Sequence, residues 1–544
     1  MGVKLGQKWA VKDGNLLASN RVGSRFFNKE FDFSRASNGT YVDRDGLLKT
    51  AELYNLIPYS EDFTQWQKLN SAVTSNLITS PSGVKNADLI NYSITSSNGY
   101  IRLAHSAAQY ITIYAKYKDI QWLMCYGSGL GAGKFVDIQN GVIGGNVGSG
   151  ANAEIYDVGN GWKRIHFYSS SANITQFSIY AAESDGSYAS ISLNGGVYLW
   201  GAQAVEGTEP RDYQYTNGRV GIPRIDFSDG VGALLLEPQR SNLLLQSNQF
   251  DTTWTLSNDA TLGSRVADPF RGTDAWEINF ATTSGSRIQQ AVSVVDGSSY
   301  VFSIYAKVPS GTQDLQIYST ISGTPETITL TDQWQRFEVF RTNVGYTQAF
   351  PQIRNNSGTE FTAYIYAAQY EQGSYPTSII ETTTTQITRL ADVCNNSGSA
   401  QDFNSEEGVL YAEIAALADD GTNRVISLFK DTNDRIQMYF DVTTNILSIF
   451  YKAQGTTTFG MSELLSDVTQ LNKIAFKWKT NDFALWVNGT ETDTLSSGVT
   501  PNKNTLDTLS FKMFNDSSPF YGKVRNLQVF TEALSDAELQ QLTT

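Results

Sequence analysis

The chain has 544 residues, too many for one hydrophobic core, so roughly three or four domains are expected. Its formal net charge of −14 argues against a nucleic-acid partner, because phosphate binding needs clustered lysine and arginine. The many Gly, Tyr, Phe, Ser and Thr residues favour strands and turns, and we expect an all-β fold of tandem antiparallel sandwiches.

Residues 1–54 are predicted to form an attachment arm followed by a hairpin. No signal-peptide-like run opens the chain, and no apolar stretch of about 18 residues occurs, so membrane insertion is not expected. Residues 1–30 have few apolar runs and are typical of an arm that orders on a partner. Residues 31–48 resemble a hairpin, with Asp45-Gly46 as a two-residue turn.

A degenerate duplication then predicts two related β-sandwiches, at residues 55–217 and 242–384. Six blocks recur in the same order, including residues 112–116 with 303–307 and the Trp-Lys-Arg and Trp-Gln-Arg blocks at 162 and 334. The blocks alternate apolar and polar residues between Gly, Ser, Asn and Asp clusters, as short antiparallel strands do. The first copy has an extra Gly-rich stretch, expected to be an added hairpin or a long loop.

The remaining segments are a connecting hairpin at 218–241, a linker at 385–404 and a final domain at 405–544. In the final domain, Phe483 to Val487 runs into Asn488-Gly489, a strong hairpin signal. Ser535 with Glu538 three residues later is a capping box for a short helix.

The end of the chain resembles concanavalin A-like (laminin-G-like) jelly rolls. The resemblance rests on residues 521–530, on residues 533–539 and on Val487-Asn488-Gly489, and it covers about residues 405–544. The two sandwiches are similar to carbohydrate-binding modules through their Ala-Lys, Trp-Arg and Ala-Gln…Gly…Pro blocks. These resemblances imply jelly-roll folds and sugar ligands.

A further resemblance is carried by residues 33–47, 223–226 and 235–244. These blocks look like a segment of bacteriophage tail and head-appendage proteins, in which they run close together. Residues 52–219 separate them in this chain, so we expect the first sandwich to be an insertion and residues 31–51 to pack against 220–241. The resemblance implies a virion protein assembled in the host cytoplasm. It also implies that the N-terminal arm binds other virion proteins and that the chain is a homo-oligomer, commonly a trimer.

No catalytic residue is expected, and the chain is interpreted as a non-enzyme. It has two histidines, of which His166 is predicted to be a strand surface residue, and it lacks the Gly-x-Ser-x-Gly and His-Glu-x-x-His motifs. The Glu-x-Asp-x-x-Glu strand of glycosidases on the concanavalin A-like fold is missing as well. No cofactor or metal is expected, although a structural calcium ion at Asp-rich turns remains an alternative. Cys125 and Cys394 are expected to be free thiols.

Sugar sites set an aromatic face against the C–H groups of the ligand. Aromatic residues shared by both repeats are assigned to the core, which sets aside Trp66, Trp254, Trp162, Trp334, Tyr114 and Tyr305. The candidates for carbohydrate binding are therefore Trp122 and Tyr126, which lie on one face of a predicted strand, and Trp486 beside a turn. We expect a virion adhesin that binds host or environmental glycans. A head-fibre, decoration or tail-assembly protein without a sugar ligand, and a polysaccharide depolymerase, are the alternatives.

Overall fold

The computed structural model describes residues 11–12, 15–22, 25–170, 172–216, 218 and 221–544. Strands hold 52% of the chain and helix 2%, which confirms the predicted all-β class. By their internal contacts the residues form two compact units. The main unit comprises Met1–Glu52 and Gly221–Thr544, and the first sandwich comprises Leu53–Val220.

The main unit begins with short strands that include the first predicted hairpin. They are β1 (Val11–Lys12), β2 (Asn15–Val22), β3 (Arg25–Glu30), β4 (Asp32–Ser34), β5 (Gly39–Val42) and β6 (Leu48–Ala51). β5 pairs antiparallel with β6. The turn spans residues 43–47 rather than the two expected, because the carboxylate of Asp43 accepts the backbone N–H groups of Asp45 and Leu47. Residues 1–10 of the predicted arm lie outside the described residues.

The described residues of the first sandwich form two six-stranded antiparallel sheets around one core. The strands are β7 (Gln67–Leu69), β8 (Ser71–Thr79), β9 (Lys85–Ser97), β10 (Tyr100–Ala108), β11 (Tyr110–Tyr117), β12 (Trp122–Ser128), β13 (Ala132–Asp137), β14 (Val142–Val147), β15 (Asn152–Asp157), β16 (Trp162–Tyr168), β17 (Ile174–Ala182) and β18 (Ile191–Val205). One sheet has the order β14-β13-β12-β17-β10-β7 and the other β15-β16-β11-β18-β9-β8. A 3-10 turn over Phe63–Gln65 places the rings of Phe63 and Trp66 in the core.

The main unit resumes with the second predicted hairpin. Its strands are β19 (Arg224–Asp226) and β20 (Ala233–Leu236), followed by β21 (Arg240–Asn242). Arg224 donates to the carbonyl oxygen of Thr40 at 3.0 Å, and the N–H of Val42 donates to the carboxylate of Asp226 at 2.9 Å. The two hairpins therefore pack together as expected, although residues 53–220 separate them in sequence.

The second sandwich follows with two five-stranded sheets and a pair of short strands. The strands are β22 (Thr255–Ser257), β23 (Thr261–Val266), β24 (Ala275–Phe280), β25 (Ser286–Gln289), β26 (Val292–Ser293), β27 (Ser299–Lys307), β28 (Gln313–Tyr318), β29 (Glu326–Leu330), β30 (Gln335–Thr342), β31 (Gln348–Ala349), β32 (Gln352–Asn355) and β33 (Phe361–Gln372). The sheet orders are β22-β25-β32-β28-β29 and β23-β24-β33-β27-β30.

The two sandwiches share their strand order, as the duplicated blocks predict. Taken from the other end, the orders of the second sandwich become β29-β28-β32-β25-β22 and β30-β27-β33-β24-β23, which match those of the first except for β14 and β15. These two strands come from the extra Gly-rich stretch, and each extends a different sheet by one edge strand. The stretch contains a hairpin of β13 and β14, one of the two expected alternatives, and the strands that it adds to the shared frame are β14 and β15.

The segment predicted as a linker is a structured part of the main unit. It contains β34 (Ile387–Arg389), which pairs with β21, and β35 (Val393–Asn395), which pairs with β4. Arg389, Asp392 and Cys394 are buried in it. The prediction of a linker is therefore corrected, because these side chains are packed between elements from distant parts of the sequence.

The final domain pairs two sheets around an apolar core and ends in a helix. Its elements are β36 (Glu407–Ala416), β37 (Arg424–Phe429), β38 (Arg435–Phe440), β39 (Ile446–Ala453), β40 (Thr457–Leu464), β41 (Asn472–Lys479), β42 (Phe483–Val487), β43 (Thr490–Leu495), β44 (Thr508–Ser510), β45 (Gly522–Phe530) and α1 (Asp536–Thr543). One sheet runs β43-β42-β41-β36-β45-β2-β1, with β20 also on β45, and the other runs β40-β39-β38-β37-β44. The carboxylate of Glu538 accepts the N–H of Ser535 at 3.0 Å, so the predicted capping box is present.

Candidate functional site

Strand β12 presents two of the predicted sugar-binding residues on the outer face of the first sandwich. Leu123 and Cys125 are fully buried in the core, and successive side chains in a strand alternate between faces. Trp122, Met124 and Tyr126 consequently point to the other side, where the rings of Trp122 and Tyr126 are half-buried. The alternation read from the sequence correctly placed these two rings on one face.

Further rings, from neighbouring strands and from the loop between β17 and β18, complete a surface that we call the platform. Its members are five half-buried aromatic residues, Trp122, Tyr126, Tyr180, Tyr100 and Tyr188. The ring of Tyr180 is central, with centroids 5.1 Å from Tyr100, 6.3 Å from Tyr126 and 5.3 Å from Tyr188, all in edge-to-face geometry. Such packing holds rings in fixed orientations.

Polar groups border the platform. The guanidinium of Arg102 lies 4.7 Å from the ring centroid of Tyr100 and donates to the side-chain oxygen of Gln67 at 2.7 Å. On the opposite side, Gly144 of edge strand β14 lies so close to Trp122 that an added Cβ would come within 2.8 Å of the indole. The backbone of β14 thus covers part of Trp122, while Arg102 supplies hydrogen-bond donors at the other border.

The corresponding face of the second sandwich is polar. In the first sandwich one cross-strand row is Phe135, Met124, Tyr180, Tyr100 and Leu69. The row at the same position in the second sandwich is Thr327, Gln316, Arg354, Arg287 and Ser257. The duplicated frame is therefore shared and the platform is specific to the first copy.

The register also corrects one sequence comparison. The sequence comparison set Leu315 and Ile317 of the second sandwich against Trp122 and Tyr126 of the first. In the structure Leu315 and Ile317 face the core of the second sandwich, as Leu123 and Cys125 face the core of the first. The true counterparts are Asp314 for Trp122 and Tyr318 for Tyr126. Tyr126 thus has an aromatic counterpart, whereas Trp122 does not.

Three platform rings were missed by reasoning from the sequence. Tyr180 is on β17, where Phe177, Ile179 and Ala181 alternate into the core and leave Tyr180 outside. That alternation was available in the sequence. The adjacency of Tyr180 and Tyr100 was not, because it depends on which strands pair.

Trp486 lies in packing contacts instead of on a binding face. Its side chain is only 7% exposed and packs with Tyr411, Phe530, Leu539 and Leu542, the last two from α1. A sugar could stack on this ring only if the helix left the sheet. The predicted ligand role of Trp486 is therefore corrected to anchoring α1. The opposite face of β42, with Phe483 and Leu485, is in the main core as predicted.

The shared aromatic residues divide into two groups. Trp66, Trp254 and Trp162 are buried, in agreement with the prediction. Trp334, Tyr114 and Tyr305 are half-buried on outer sheet faces, so the prediction that placed them in the core is wrong. The three partly exposed rings line the outer faces of the sheets that contain β11 and β27.

His166 is opposite Ile165 and Phe167 as expected, but it is buried instead of exposed. The hydroxyl of Tyr110 and Nδ1 of His166 are 2.5 Å apart, and the ring of Tyr156 on the extra strand β15 lies 5.3 Å from the imidazole. Burial, together with Arg164, lowers the pKa of His166 to about 4. The prediction of a surface histidine is corrected because β15 and Tyr110 cover it.

The blocks that resemble the phage appendage segment meet in a buried cluster of charges. The ion pairs join Arg35 with Asp392 at 2.7 Å, Arg224 with Glu237 at 2.6 Å and with Asp392 at 2.5 Å, and Arg389 with Glu237 at 2.9 Å. All five side chains are at most 2% exposed. Arg389 and Asp392 come from the segment predicted as a linker, so the sequence indicated only part of the cluster.

Mutual neutralisation stabilises these charges against the cost of burial. Burial alone would raise the pKa of Glu237, but Arg389, Arg224 and hydrogen bonds from Ser378 lower it to about 2. Burial lowers the pKa of Arg35, which shares Asp392 with Arg224. This cluster joins four separate sequence segments, and it is structural because its charges are paired with one another.

Within the part of the chain that the structure describes, no three or more His, Cys, Asp or Glu side chains are grouped to hold a metal ion. The helix of the described residues is too short and too polar to cross a membrane. Cys125 and Cys394 are buried free thiols, as predicted.

Comparison with protein families identifies the final domain. Residues 396–540 match the concanavalin A-like lectin/glucanases superfamily, which confirms the resemblance seen in the sequence. A search of curated proteins gives no significant match.

Similar solved structures include a leech intramolecular trans-sialidase, the binding domain of botulinum neurotoxin serotype G and the CBM22-1–CBM22-2 tandem of Paenibacillus barcinonensis Xyn10C. Their identities are 18%, 9% and 12%, and their TM-scores are 0.23, 0.19 and 0.19. The alignments cover 26%, 56% and 59% of this chain and 23%, 50% and 99% of those chains. The chain thus spans about a quarter of the sialidase and half of the neurotoxin domain, and TM-scores this low carry no argument about function.

Proposed function

We propose that this protein is a non-enzymatic, glycan-binding protein of a bacteriophage virion and that the platform is its sugar-binding face. The observation that carries the proposal is the difference between two faces built on the same frame. The first sandwich has Tyr180 and Tyr100 where the second has Arg354 and Arg287. Aromatic rings that a fold does not need for its core, half-exposed on a sheet face, are typical of a contact surface.

The chemistry of the platform suits a saccharide. Its rings offer apolar surfaces for the C–H groups of a pyranose, and the Tyr hydroxyls and Arg102 offer hydrogen bonds at the edge. The sheet face is open, so a bound sugar keeps much of its hydration and each contact contributes little. Binding along a polysaccharide surface fits this geometry better than enclosure of a small molecule.

The virion assignment has separate support. The appendage-like blocks supply Arg35, Arg224 and Glu237, which form the buried ion cluster together with two later residues. The segments that resemble phage appendages are therefore packed against one another in this unit, although they are far apart in the sequence. A head-fibre or decoration protein without a sugar ligand is the second candidate, and in that case the platform rings would contact another virion protein.

The binding proposal is tested with purified full-length chain on immobilised surface polysaccharides from candidate hosts. Trp122→Ala and Tyr126→Ala are each expected to weaken binding about tenfold, equivalent to about 1.4 kcal/mol. Tyr318→Ala, at the matching position of the second sandwich, is the control and is expected to change binding by less than about twofold. If both platform variants fold and bind like the wild type, the platform is not the sugar site.

Two further measurements test the other parts of the proposal. Antibody labelling of intact particles in electron micrographs supports adhesion if the label is at the tail tip, and decoration if it is on the head; particles without label contradict a virion role. Release of reducing ends from a polysaccharide, lost on substitution of one acidic residue, would contradict the assignment as a non-enzyme.

A further inference from the structure

The main unit contains a cleft of about 660 Å³ that is separate from the platform. One wall is the outer face of the second sandwich, with Tyr305, Phe270 and Arg336. Tyr41 of hairpin β5–β6 and Lys523 of β45 also line the cleft. The cleft therefore combines aromatic rings with basic groups from three parts of the main unit.

Arg336 has donors that the protein leaves open. Its Nη2 donates to the hydroxyl of Ser303 at 3.0 Å, and its guanidinium carbon lies 5.6 Å from the ring centroid of Tyr305. Among the described residues, Arg336 makes no ion pair within 4.0 Å and its Nη1 has no hydrogen-bond partner. A guanidinium fixed by stacking and by one hydrogen bond is preorganised to receive a planar anion such as a carboxylate.

The repeat shows why this arginine is open. Arg336 pairs across the ladder with Tyr305, and Arg164 pairs with Tyr114 at the same position of the first sandwich. There the extra strand β15 covers the arginine, with Arg164 lying 5.3 Å from the ring centroid of Tyr156. The second sandwich has no strand at that edge, so Arg336 is on the edge strand β30.

The other charges that line the cleft already have partners. Lys523 pairs with Asp229 and lies 3.6 Å from Asp226. Glu237 is neutralised by Arg224 and Arg389. The acid beside Arg336 on the same strand face is Glu338, two residues along β30, which interacts electrostatically with Arg336 but is not within ion-pair distance. Of the two basic side chains that line the cleft, Lys523 is in an ion pair with a carboxylate and Arg336 is not.

The aromatic walls can hold a ring next to that charge. Phe270 and Tyr305 pack edge-to-face with centroids 5.4 Å apart, and the hydroxyl of Tyr41 has no hydrogen-bond partner among the described residues. A flat apolar surface, an open hydroxyl and an unpaired cation match the ring face, the hydroxyls and the carboxylate of an acidic sugar.

We propose that this cleft binds a carboxylate-bearing sugar unit, such as a hexuronic or sialic acid, with its carboxylate paired to Arg336. The ring packs against Tyr305 and Phe270. This site is distinct from the platform and does not depend on the platform binding any sugar.

The test uses the full chain and matched monosaccharides, measured by isothermal titration calorimetry and saturation-transfer NMR. The pairs are glucuronate with glucose, galacturonate with galactose and mannuronate with mannose, together with N-acetylneuraminate. At least one acidic sugar is expected to bind about tenfold more tightly than its neutral counterpart. Arg336→Gln is expected to remove that preference and Arg336→Lys to keep part of it, whereas Arg354→Gln on the other sheet is the control that leaves it unchanged.

The outcomes separate this site from the platform. Trp122→Ala is expected to leave acidic-sugar binding intact, so loss of binding in Trp122→Ala would overturn the cleft proposal even if the platform proposal holds. Neutral sugars binding as tightly as acidic ones, no binding by any acidic sugar, or unchanged binding in a folded Arg336→Gln would each overturn it as well. If Arg336→Gln does not fold, the proposal is tested by the preference of the wild type for acidic sugars and by the part of that preference that Arg336→Lys keeps.

Discussion

The carbonyl oxygens of Ala51 and Ile222 share one donor, Nη2 of Arg35, at 3.1 and 2.9 Å. These two residues flank the first sandwich in the sequence. The same arginine pairs with Asp392 through Nη1, so it is fixed within the buried ion cluster. The hydrogen bonds of Arg35 therefore hold together the two segments of the main unit that flank the first sandwich.

The first prediction is that the main unit folds without residues 53–220. The oxygens of Ala51 and Ile222 are at most roughly 6 Å apart, a gap that a Gly/Ser linker of about three residues can span. The shortened chain is expected to show a cooperative unfolding transition and a β-type circular dichroism spectrum. An equally long deletion that starts inside the second sandwich is the control and is expected to abolish folding. Failure of the first deletion to fold would contradict an insertion.

The second prediction concerns the buried ion cluster. Asp392→Asn is expected to lower the free energy of unfolding by about 3–5 kcal/mol, because it leaves Arg35 and Arg224 buried without their shared carboxylate. Lys479→Ala breaks an exposed pair with Glu407 at 2.9 Å and is expected to change the free energy of unfolding far less, because water already screens this pair. Denaturant unfolding of both variants measures the difference. Equal effects would show that the cluster contributes no more than a surface pair.

Alternation and repetition predicted most of the fold. The sequence indicated the sandwiches, both hairpins, the capping box and the outward side of β12, because each depends on residues close together in the chain. The final domain was also recognisable from its own short motifs, and the family match over residues 396–540 confirms that resemblance. Each of these features is local, so one stretch of sequence contains the whole signal.

The features that the sequence did not predict depend on contacts between distant segments. Arg389 and Asp392 were read as linker residues, since nothing nearby shows that Arg224 and Glu237 will meet them. Trp486 is on the outward face of its strand as predicted, but α1, more than forty residues later, covers it. Burial of an outward side chain is decided by whichever element packs on it, and alternation does not contain that information.

The third prediction is a loss of stability in the first sandwich between about pH 6.5 and 4. The pKa of His166 is lowered to about 4, so the folded state resists protonation and the unfolded state gains a proton first. Stability is fully present above pH 6.5 and falls as the pH approaches 4, by about 3 kcal/mol from this group. Peptide-resolved hydrogen exchange of β11 and β16 measures this loss of stability, after correction for the pH dependence of the intrinsic exchange rate.

His166→Gln is the matched variant for this pH effect. Glutamine can either donate to or accept from the Tyr110 hydroxyl and does not titrate, so the stability of the variant is expected to vary less with pH by that amount. His105, whose pKa burial also lowers, is present in both proteins and cancels in the comparison. Identical profiles for wild type and variant would assign the pH dependence to other groups.

The fourth prediction separates packing from binding at Trp486. Trp486→Ala is expected to lower the free energy of unfolding by about 3–5 kcal/mol, since it leaves a cavity under α1. Binding to polysaccharide is expected to stay unchanged at temperatures at which the variant is folded. A stable variant with lost binding would return Trp486 to the binding surface.

The last prediction is that sugar binding by the platform is weak for one chain and gains strength from repetition. The face is open, and its rings cover only one side of a sugar, so a single-site Kd of about 0.1–1 mM is expected, equivalent to about −4 to −5.5 kcal/mol. Many copies on one particle share a polysaccharide surface, and the effective affinity then rises by about 10²–10⁴-fold without any new contact.

The measurement compares binding of the monomeric chain with binding of the chain displayed at varied density on beads, on the same glycan. Each platform contributes to every multivalent contact. Tyr126→Ala is therefore expected to weaken binding by the beads more steeply than binding by the monomer, whereas Tyr318→Ala is expected to weaken neither. Tight binding by the monomer, or bead binding that does not depend on display density, would contradict this mechanism.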